Sequence, residues 1–291
     1  MHHRYFSLLA ASAFCSFGSM TLANDKSAEE LLSDSLGAAA AGKRDEAIDL
    51  ATQAIAADAK NAQARYVRGL LYEGASKHAQ AVADFTAALE LDPGRADSFD
   101  HRGSEELKLG HAERAIADFD RAIELDPARE AGHWRRGIAY YFAGRYAEGA
   151  KQFEGYQTVD DNDVENAVWR FLCMARKEGV APARKALLKI KNDRRVPMME
   201  VYALFAGKIK PDAVLAAARA GGPAPAELKQ RLFYAEYYLG LYDEATGNKQ
   251  AARRHIETAV EKNLVGQYMW DVARVHLDLL KQPKKNEASE P

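Results

Sequence analysis

The 291-residue sequence has little of what disulfide scaffolds, fibrous proteins and nucleic-acid-binding proteins depend on. It contains only 2 cysteines and 9 prolines, so neither a disulfide framework nor a proline-rich fibre can stabilise it. It has no excess of positive charge, because 40 basic residues face 42 acidic ones, and this balance argues against non-specific nucleic-acid binding. Its 47% hydrophobic content is nevertheless enough for a sizeable core.

The first residues have the pattern of a cleaved secretory signal. Arg4 precedes an apolar stretch from Tyr5 to Phe17, which is shorter than the ~20 residues that cross a bilayer. Thr21-Leu22-Ala23 then supplies small residues at the positions that a signal peptidase reads. We therefore expect residues 1–23 to be a signal peptide and the protein to be exported to the periplasm. A short membrane anchor that stays attached is the alternative.

The two cysteines have different expected fates. Cys15 would be the lipidated residue of a membrane-anchored lipoprotein, but Phe14 stands where a small residue is needed and Ser12 where a Leu-like one is. Simple export is therefore favoured over lipidation. Cys173 remains as the only cysteine after cleavage, so no internal disulfide is expected. It lies in the apolar run 171–175, which predicts a buried, inert thiol.

The strongest pattern in the sequence is a repeat of 34 residues. Glycine, aspartate, alanine and phenylalanine each recur at this step, and the strings LELDP at 89–93 and IELDP at 123–127 fall in the same phase. Gly149 occupies the fourth position of the alanine series. The recurring residues are Gly69, Gly103 and Gly137; Asp58, Asp92, Asp126 and Asp160; Ala47, Ala81 and Ala115; and Phe85, Phe119 and Phe153. Several independent series that agree on one period indicate a repeat protein.

With this period and these residues, the chain resembles the tetratricopeptide repeat family, whose units are helix–turn–helix hairpins. A glycine such as Gly103 on the first helix lets the backbone approach Ala115 on the second, and Phe119 fills the space beside that contact. The resemblance implies an all-α fold, a right-handed superhelical solenoid of stacked hairpins. Four units are predicted, at 28–61, 62–95, 96–129 and 130–163.

Beyond residue 163 the repeat fades while helical periodicity continues. Residues 164–224 are predicted to form two irregular helical hairpins, and the second helix of the first hairpin carries Ala186, Leu187 and Ile190. A unit like the repeats returns at 225–266. A C-terminal capping helix is expected at 267–281, as a solenoid needs to cover its open end, followed by a disordered tail at 282–291.

Two stretches that look like ligand loops do not fit their motifs. Residues 37–44 match a phosphate loop except at the last position, where Arg44 replaces the Ser or Thr that holds magnesium. Residues 160–165 look like a calcium loop but lack its glycine and its terminal glutamate. Both are better explained as turns between helices. The sequence shows no HExxH or GxSxG motif, so we expect no metal, no cofactor and no enzymatic activity.

Arginines precede the three repeat glycines, and two hypotheses explain them. Arg68, Arg102 and Arg136 could form a site for an acidic ligand. Alternatively, Arg68 and Arg102 pair with aspartates of their own hairpins, namely Asp84 and Asp118. The second hypothesis is favoured.

The resemblance also points to a binding surface on the concave face of the solenoid. In tetratricopeptide proteins, ligand contacts come mostly from the second, fifth, ninth, twelfth and thirteenth residues of each unit. From these positions we predict a protein-binding site formed by Tyr66, Leu70, Asp100, Lys108, Trp134, Ile138, Tyr141 and Phe142. The last four would form an aromatic groove. The alternative is that Trp134 and Phe142 pack against the helices that follow residue 163.

A narrower resemblance rests on residues 136–141 (RGIAYY) and 233–240 (FYAEYYLG), which are similar to the NlpI family of periplasmic tetratricopeptide lipoproteins. That resemblance implies a homodimeric adaptor that brings substrates, notably cell-wall hydrolases, to a periplasmic protease. The leading hypothesis is therefore a non-catalytic periplasmic adaptor or scaffold that binds protein partners in its groove. A structural subunit of an envelope assembly and an enzyme with an unrecognised helical active site remain alternatives.

Overall fold

The computed structural model describes residues 26–266 and 268–281. The predicted signal peptide, Cys15 and the tail at 282–291 lie outside these residues. Within them the chain forms α-helices and one 3-10 turn at Pro127–Arg129, with no strand. The helices are α1 (Ala28–Ala40), α2 (Arg44–Ala57), α3 (Ala62–Gly74), α4 (His78–Leu91), α5 (Ala96–Lys108), α6 (Ala112–Leu125), α7 (Trp134–Phe142), α8 (Tyr146–Tyr156), α9 (Val164–Glu178), α10 (Val180–Lys185), α11 (Met198–Phe205), α12 (Pro211–Arg219), α13 (Pro225–Ala245), α14 (Lys249–Lys262) and α15 (Tyr268–Lys281).

The first eight helices pair in chain order as four hairpins. In three of them the turn contains a glycine with positive φ, which is +76° at Gly42, +82° at Gly110 and +75° at Gly144. Only glycine adopts this conformation without strain. Gly42 belongs to the stretch that resembles a phosphate loop, and the structure shows it to be a turn between α1 and α2. Ser76 takes the same role in the second hairpin, with φ of 55°.

Each hairpin closes through the glycine that the repeat places on its first helix. A Cβ built on Gly69, Gly103 or Gly137 would lie within 2.9 Å of the ring of the phenylalanine sixteen residues later. The three phenylalanines are Phe85, Phe119 and Phe153, and each is fully buried. Side chains larger than hydrogen at the glycines would therefore push the two helices apart. The predicted close packing is confirmed.

The arginines that precede these glycines join neighbouring hairpins. The Arg68 guanidinium donates two hydrogen bonds of 2.7 Å to the Asp84 carboxylate in its own hairpin and one of 3.1 Å to Thr52 Oγ1 in the preceding hairpin. Arg102 repeats the arrangement with Asp118 and Thr86. A two-pronged guanidinium–carboxylate pair fixes geometry as well as charge. These arginines stabilise the stack of repeats, as the favoured hypothesis expected.

The region after residue 163 is helical but less regular than expected. The Asp163 carboxylate accepts a hydrogen bond from the Glu165 amide and caps α9, so the stretch that resembles a calcium loop is a helix start. The predicted helix through Ile190 is wrong, because α10 ends at Lys185 and residues 187–194 form no regular structure. Asp193 accepts hydrogen bonds from Arg195 and from the Val164 amide, and these bonds hold the segment against the start of α9.

The repeat geometry returns at α13 and α14. An added Cβ on Gly240 would collide with Ile256, which lies sixteen residues later, as each phenylalanine lies after its repeat glycine. Helix α15 then packs against α14 and runs back to α5. The all-α, right-handed superhelical solenoid is thereby confirmed, with one continuous core from Leu107 to Leu277. Within residues 26–266 and 268–281, no helix has the length and apolar character that crossing a membrane requires.

Candidate functional site: the concave face and its C-terminal cover

The ninth residue of each unit shows how accessible the concave face is along the solenoid. These residues follow one another at the 34-residue step, from Leu36 on α1 through Leu70 and Ser104 to Ile138 on α7. Leu36 is 50% exposed and Leu70 is half-buried, whereas Ser104 and Ile138 are each 1% exposed. The concave face is therefore open in its first half and covered in its second.

Helix α15 is the cover. The rings of Tyr268 on α15 and Trp134 on α7 meet edge to face with their centroids 5.1 Å apart. Further along α15, Arg274 donates a 2.6 Å hydrogen bond to the backbone carbonyl of Lys108 at the end of α5. The chain's own C-terminal helix thus lies where a ligand of the second half would bind.

Charged side chains attach α15 to the second and third repeats. His78 lies between two carboxylates, with Nδ1 2.7 Å from Glu105 and Nε2 3.5 Å from Asp271 on α15. Its partners Asp271 and Glu105 raise the pKa of His78 to about 9. Lys108 lies 2.5 Å from the same buried Glu105. These cations neutralise the acidic groups that would otherwise be costly to bury.

Asp100, at a predicted groove position on α5, is likewise engaged. His133 Nε2 lies 2.9 Å from Asp100 Oδ1, and Arg135 donates a 2.6 Å hydrogen bond to Oδ2. Burial by itself would raise the pKa of Asp100, but His133 and Arg135 outweigh burial and lower it to about 2. Asp100 is therefore an ionised member of an internal ion pair.

The predicted site residues fall into two groups in the structure. Tyr66 and Leu70 are half-buried and lie on the open half of the concave face. The expectation of an open aromatic groove is corrected for the others, because the later helices cover them. Ile138 and Tyr141 are buried in the core, and Asp100 and Lys108 are buried in ion pairs. Trp134 and Phe142 pack against those later helices, as the alternative hypothesis held.

Phe142 illustrates this packing. Its ring meets His276 of α15 at a centroid distance of 5.5 Å and Trp169 of α9 at 6.2 Å. The sequence reasoning also missed two residues of the open half, Leu32 and Leu36. The signal was available, since Leu36 precedes Leu70 by one repeat and Leu32 precedes Tyr66 by one repeat.

A cavity of ≈ 250 Å³ remains between α15 and the helices that it covers. Residues from α7, α8, α9, α13 and α15, together with the Asp163 cap of α9, line it. They are Trp134, Ile138, Phe153, Asp163, Glu165, Asn166, Trp169, Tyr234, Tyr268 and Met269. No group of three or more potential metal ligands occurs in the described part of the chain. The Cys173 thiol is fully buried, and burial raises its pKa, so it is poorly suited to act as a nucleophile.

Comparison with known proteins agrees with this architecture. The family model of the tetratricopeptide repeat matches residues 35–96 and 102–163. We therefore identify the chain as a tetratricopeptide repeat protein. The family-model matches end at residue 163, where the regular repeat fades.

Solved structures share the fold at low sequence identity. A tetratricopeptide repeat protein from Parabacteroides merdae is 17% identical, with a TM-score of 0.58 over 88% of this chain and 99% of that one. YrrB, described as a tetratricopeptide protein with an unusual peptide-binding site, is 19% identical, with a TM-score of 0.54 over 67% of this chain and 93% of its own. MamA is 16% identical, with a TM-score of 0.52 over 68% and 98%. The narrower resemblance to the NlpI family stays a prediction.

Proposed function

We propose that the chain is a non-catalytic adaptor that binds a segment of a partner protein along the open half of its concave face, from α1 to α5. The observation that carries this proposal is the difference in exposure between Leu36 and Ile138, which occupy the same position of two different repeats. Apolar groups that water can reach in a concave surface are typical of binding sites for other proteins.

The chemistry of the open half indicates what the partner segment presents. Leu32, Leu36, Tyr66 and Leu70 offer apolar contacts, and Arg95 lies over the Tyr66 ring with its guanidinium 4.6 Å from the ring centroid. Position two of the third unit is Asp97, whose side chain is 58% exposed and pairs with Arg129 at 2.6 Å. A segment with apolar anchors and a neutral flank fits this surface. A terminal carboxylate does not, because no lysine or asparagine occupies positions two, five and nine there.

A solved structure with the same fold supports peptide binding as the proposed role. YrrB is described as having a peptide-binding site, and its fold is shared with this chain. The family is built for extended contacts, because each hairpin adds one strip to a continuous concave surface. The absence of recognisable catalytic motifs in the sequence supports a binding role over catalysis.

The finer proposal is that the adaptor is a homodimer that works in the periplasm. There it presents envelope proteins, such as cell-wall hydrolases, to a protease. Its support is the signal-peptide pattern of residues 1–23 and the resemblance of residues 136–141 and 233–240 to the NlpI family. A structural subunit of an envelope complex is the runner-up. Intact mass of the exported protein tests the location, because cleavage after Ala23 makes Asn24 the first residue and lipidation of Cys15 would add a diacylglyceryl mass.

Site-specific crosslinking in the native envelope tests the binding surface. A photoreactive amino acid is placed at Leu36, at Leu70 or, as the control, at Val159, which is 57% exposed but lies in the turn before α9. We expect the same partner to be crosslinked from Leu36 and Leu70 and not from Val159. Equal capture from all three positions, or capture from Val159 alone, would contradict the proposed surface.

A further inference from the structure

The cavity beneath α15 has walls of two kinds. Five of its lining residues are aromatic, namely Trp134, Phe153, Trp169, Tyr234 and Tyr268. Two others, Asp163 and Glu165, are carboxylates that are mostly covered, with side chains 19% and 14% exposed. An apolar ligand would match only the aromatic residues, and an inorganic cation would match only the carboxylates.

The carboxylates beside the cavity are not fully neutralised by the protein. Arg195 pairs with Asp163 and Asp193 at 2.6 Å and with Glu165 at 2.5 Å. Within the described part of the chain it is the sole basic side chain that pairs with these three acids, so the protein supplies one positive charge for three carboxyl groups. Burial raises the pKa of both Asp163 and Glu165, because their ionised forms lack water. A bound cation would compensate for that loss.

Two polar atoms of the wall are also without partners. Asn166 and Trp169 are 3% and 2% exposed, yet Asn166 Oδ1 and Trp169 Nε1 have no hydrogen-bond partner among the described residues. Asn166 is held by its other amide atom, since Nδ2 donates a 3.0 Å hydrogen bond to the Phe153 carbonyl. An unpaired buried acceptor costs free energy, and a ligand N–H or O–H that reaches it would recover this.

We propose that this cavity binds an organic cation, an ammonium group on a short apolar stem, with its charge at Asp163 and Glu165 and its stem among the aromatic rings. Aromatic faces attract ammonium groups, and the attraction increases when water is excluded. The volume of ≈ 250 Å³ suits a group of the size of choline or of one lysine side chain rather than a larger molecule. A free small molecule and a lysine side chain of a partner protein both present this chemistry.

The other cations near the aromatic wall do not occupy this role. Lys108 Nζ lies 5.1 Å from the Tyr268 ring centroid, and the Arg135 guanidinium lies 5.7 Å from that of Trp134. Each is bound by its own carboxylate, Lys108 by Glu105 and Arg135 by Asp100. Neither forms an ion pair with Asp163 or Glu165.

The test compares cations with neutral molecules of the same shape on the full chain. Choline and n-pentylammonium are titrated by calorimetry and by tryptophan fluorescence, since two of the three tryptophans line the cavity. Their controls are 3,3-dimethylbutan-1-ol and pentan-1-ol. We expect saturable binding of at least one cation, about tenfold tighter than its neutral counterpart. Equal binding of both, or no binding of either cation at millimolar concentration, would overturn the proposal.

Two variants test whether Asp163 and Glu165 bind the ammonium group, and a blocked lysine tests whether the cation comes from a protein. Glu165→Gln keeps the oxygen that accepts the 2.6 Å hydrogen bond from Tyr238, and Asp163→Asn keeps a helix-capping side chain. Each is expected to weaken cation binding about tenfold, whereas the matched control Glu148→Gln on α8 leaves it unchanged. Unchanged binding in both cavity variants would refute the site.

If Nα-acetyl-lysine amide, which keeps its ε-ammonium group, binds more tightly than n-pentylammonium, the source is a lysine side chain of a partner. The reverse order indicates a free small molecule. These titrations use no protein partner, so their outcome is independent of the crosslinking experiment on the open half of the concave face.

Discussion

The first two repeats and the C-terminal helices pack in different ways, although both are made of antiparallel helices. Around α1 to α3, the buried apolar cluster consists of Leu31, Ala54 and Ala64, and each hairpin touches mainly its neighbours. The C-terminal region instead shares one core with residues far apart in sequence. Tyr238, for example, donates a hydrogen bond to Glu165, which lies 73 positions earlier.

The comparison teaches that a repeat protein can contain both an extensible part and a closed part. In the extensible part, stability is roughly the sum of local units and their interfaces. In the closed part, α15 packs against helices from the middle of the chain and covers the concave face there. The concave face stays open only on the first repeats, where Leu36 is 50% exposed.

The largest expected effect is on the closed part. Phe171→Ala removes a ring that is buried at 1% exposure and meets Phe205 of α11 edge to face at a centroid distance of 5.1 Å. We expect the free energy of unfolding to fall by about 3–5 kcal/mol. Hydrogen exchange should quicken from α9 to α15 and stay unchanged in α1 to α4. Equally faster hydrogen exchange along the whole chain would show that the chain unfolds as one cooperative unit, and would contradict the distinction between the two parts.

The next effect concerns the regular repeats. In Gly103→Leu the new side chain meets the Phe119 ring at 2.9 Å and the Ala115 carbonyl oxygen at 3.1 Å, which should cost about 1–3 kcal/mol. Gly37→Ala is the control, because a Cβ at Gly37 meets nothing within 4 Å and alanine favours the helix by up to about 1 kcal/mol. Thermal melts should therefore shift in opposite directions. An unaltered melting temperature in Gly103→Leu would contradict the hairpin packing.

The contact between the two regions should depend on pH through His78. Its raised pKa means that the folded state binds the proton more tightly than the unfolded state does, so the stabilisation is complete below about pH 6.5. It is lost as pH rises from 6.5 towards 9, on the order of 1–3 kcal/mol. Glu105, Asp271, Lys108 and Arg274 surround this site. In His78→Gln, the free energy of unfolding from denaturant titrations should lack this dependence on pH. The same pH dependence in both proteins would contradict the role of His78.

The smallest effect on stability should be at the open half of the concave face. Leu36→Asp changes a side chain that is 50% exposed, so we expect a change within about 0.5 kcal/mol together with weaker capture of the partner. Trp134→Asp, at a groove position that α15 covers, should instead lower the melting temperature. Circular-dichroism melts beside a binding assay distinguish the two. Equal losses of stability would mean that both halves are covered.

Sequence reasoning succeeded where structure follows from neighbours in the repeat. The close glycine–phenylalanine contacts and the Arg68–Asp84 pair join residues sixteen apart in one hairpin, so each repetition of the period carries the same information. The return of α15 leaves no such trace, because the hydrogen bond from Arg274 to Lys108 spans 166 positions.

The candidate site could be predicted only in part for the same reason. Position within the repeat predicted Tyr66 and Leu70 as residues of the concave face, and both are half-buried on its open half. It gave Ile138 the same status, although helices from the far end of the chain bury that residue. The irregular segment before α11 was also missed, since Asp193 and Arg195 hold it through contacts with the start of α9 rather than through its own periodicity.

Gly149 shows how the end of a repeat array constrains evolution. It stands where the preceding units have Ala47, Ala81 and Ala115, and a Cβ there would lie 2.8 Å from Cys173 Sγ of α9. The sulfur of the next helix fills the space that alanine's methyl group fills elsewhere. Restoring the consensus alanine would therefore damage this protein unless residue 173 became smaller at the same time. The two positions are therefore expected to change together among descendants of this chain.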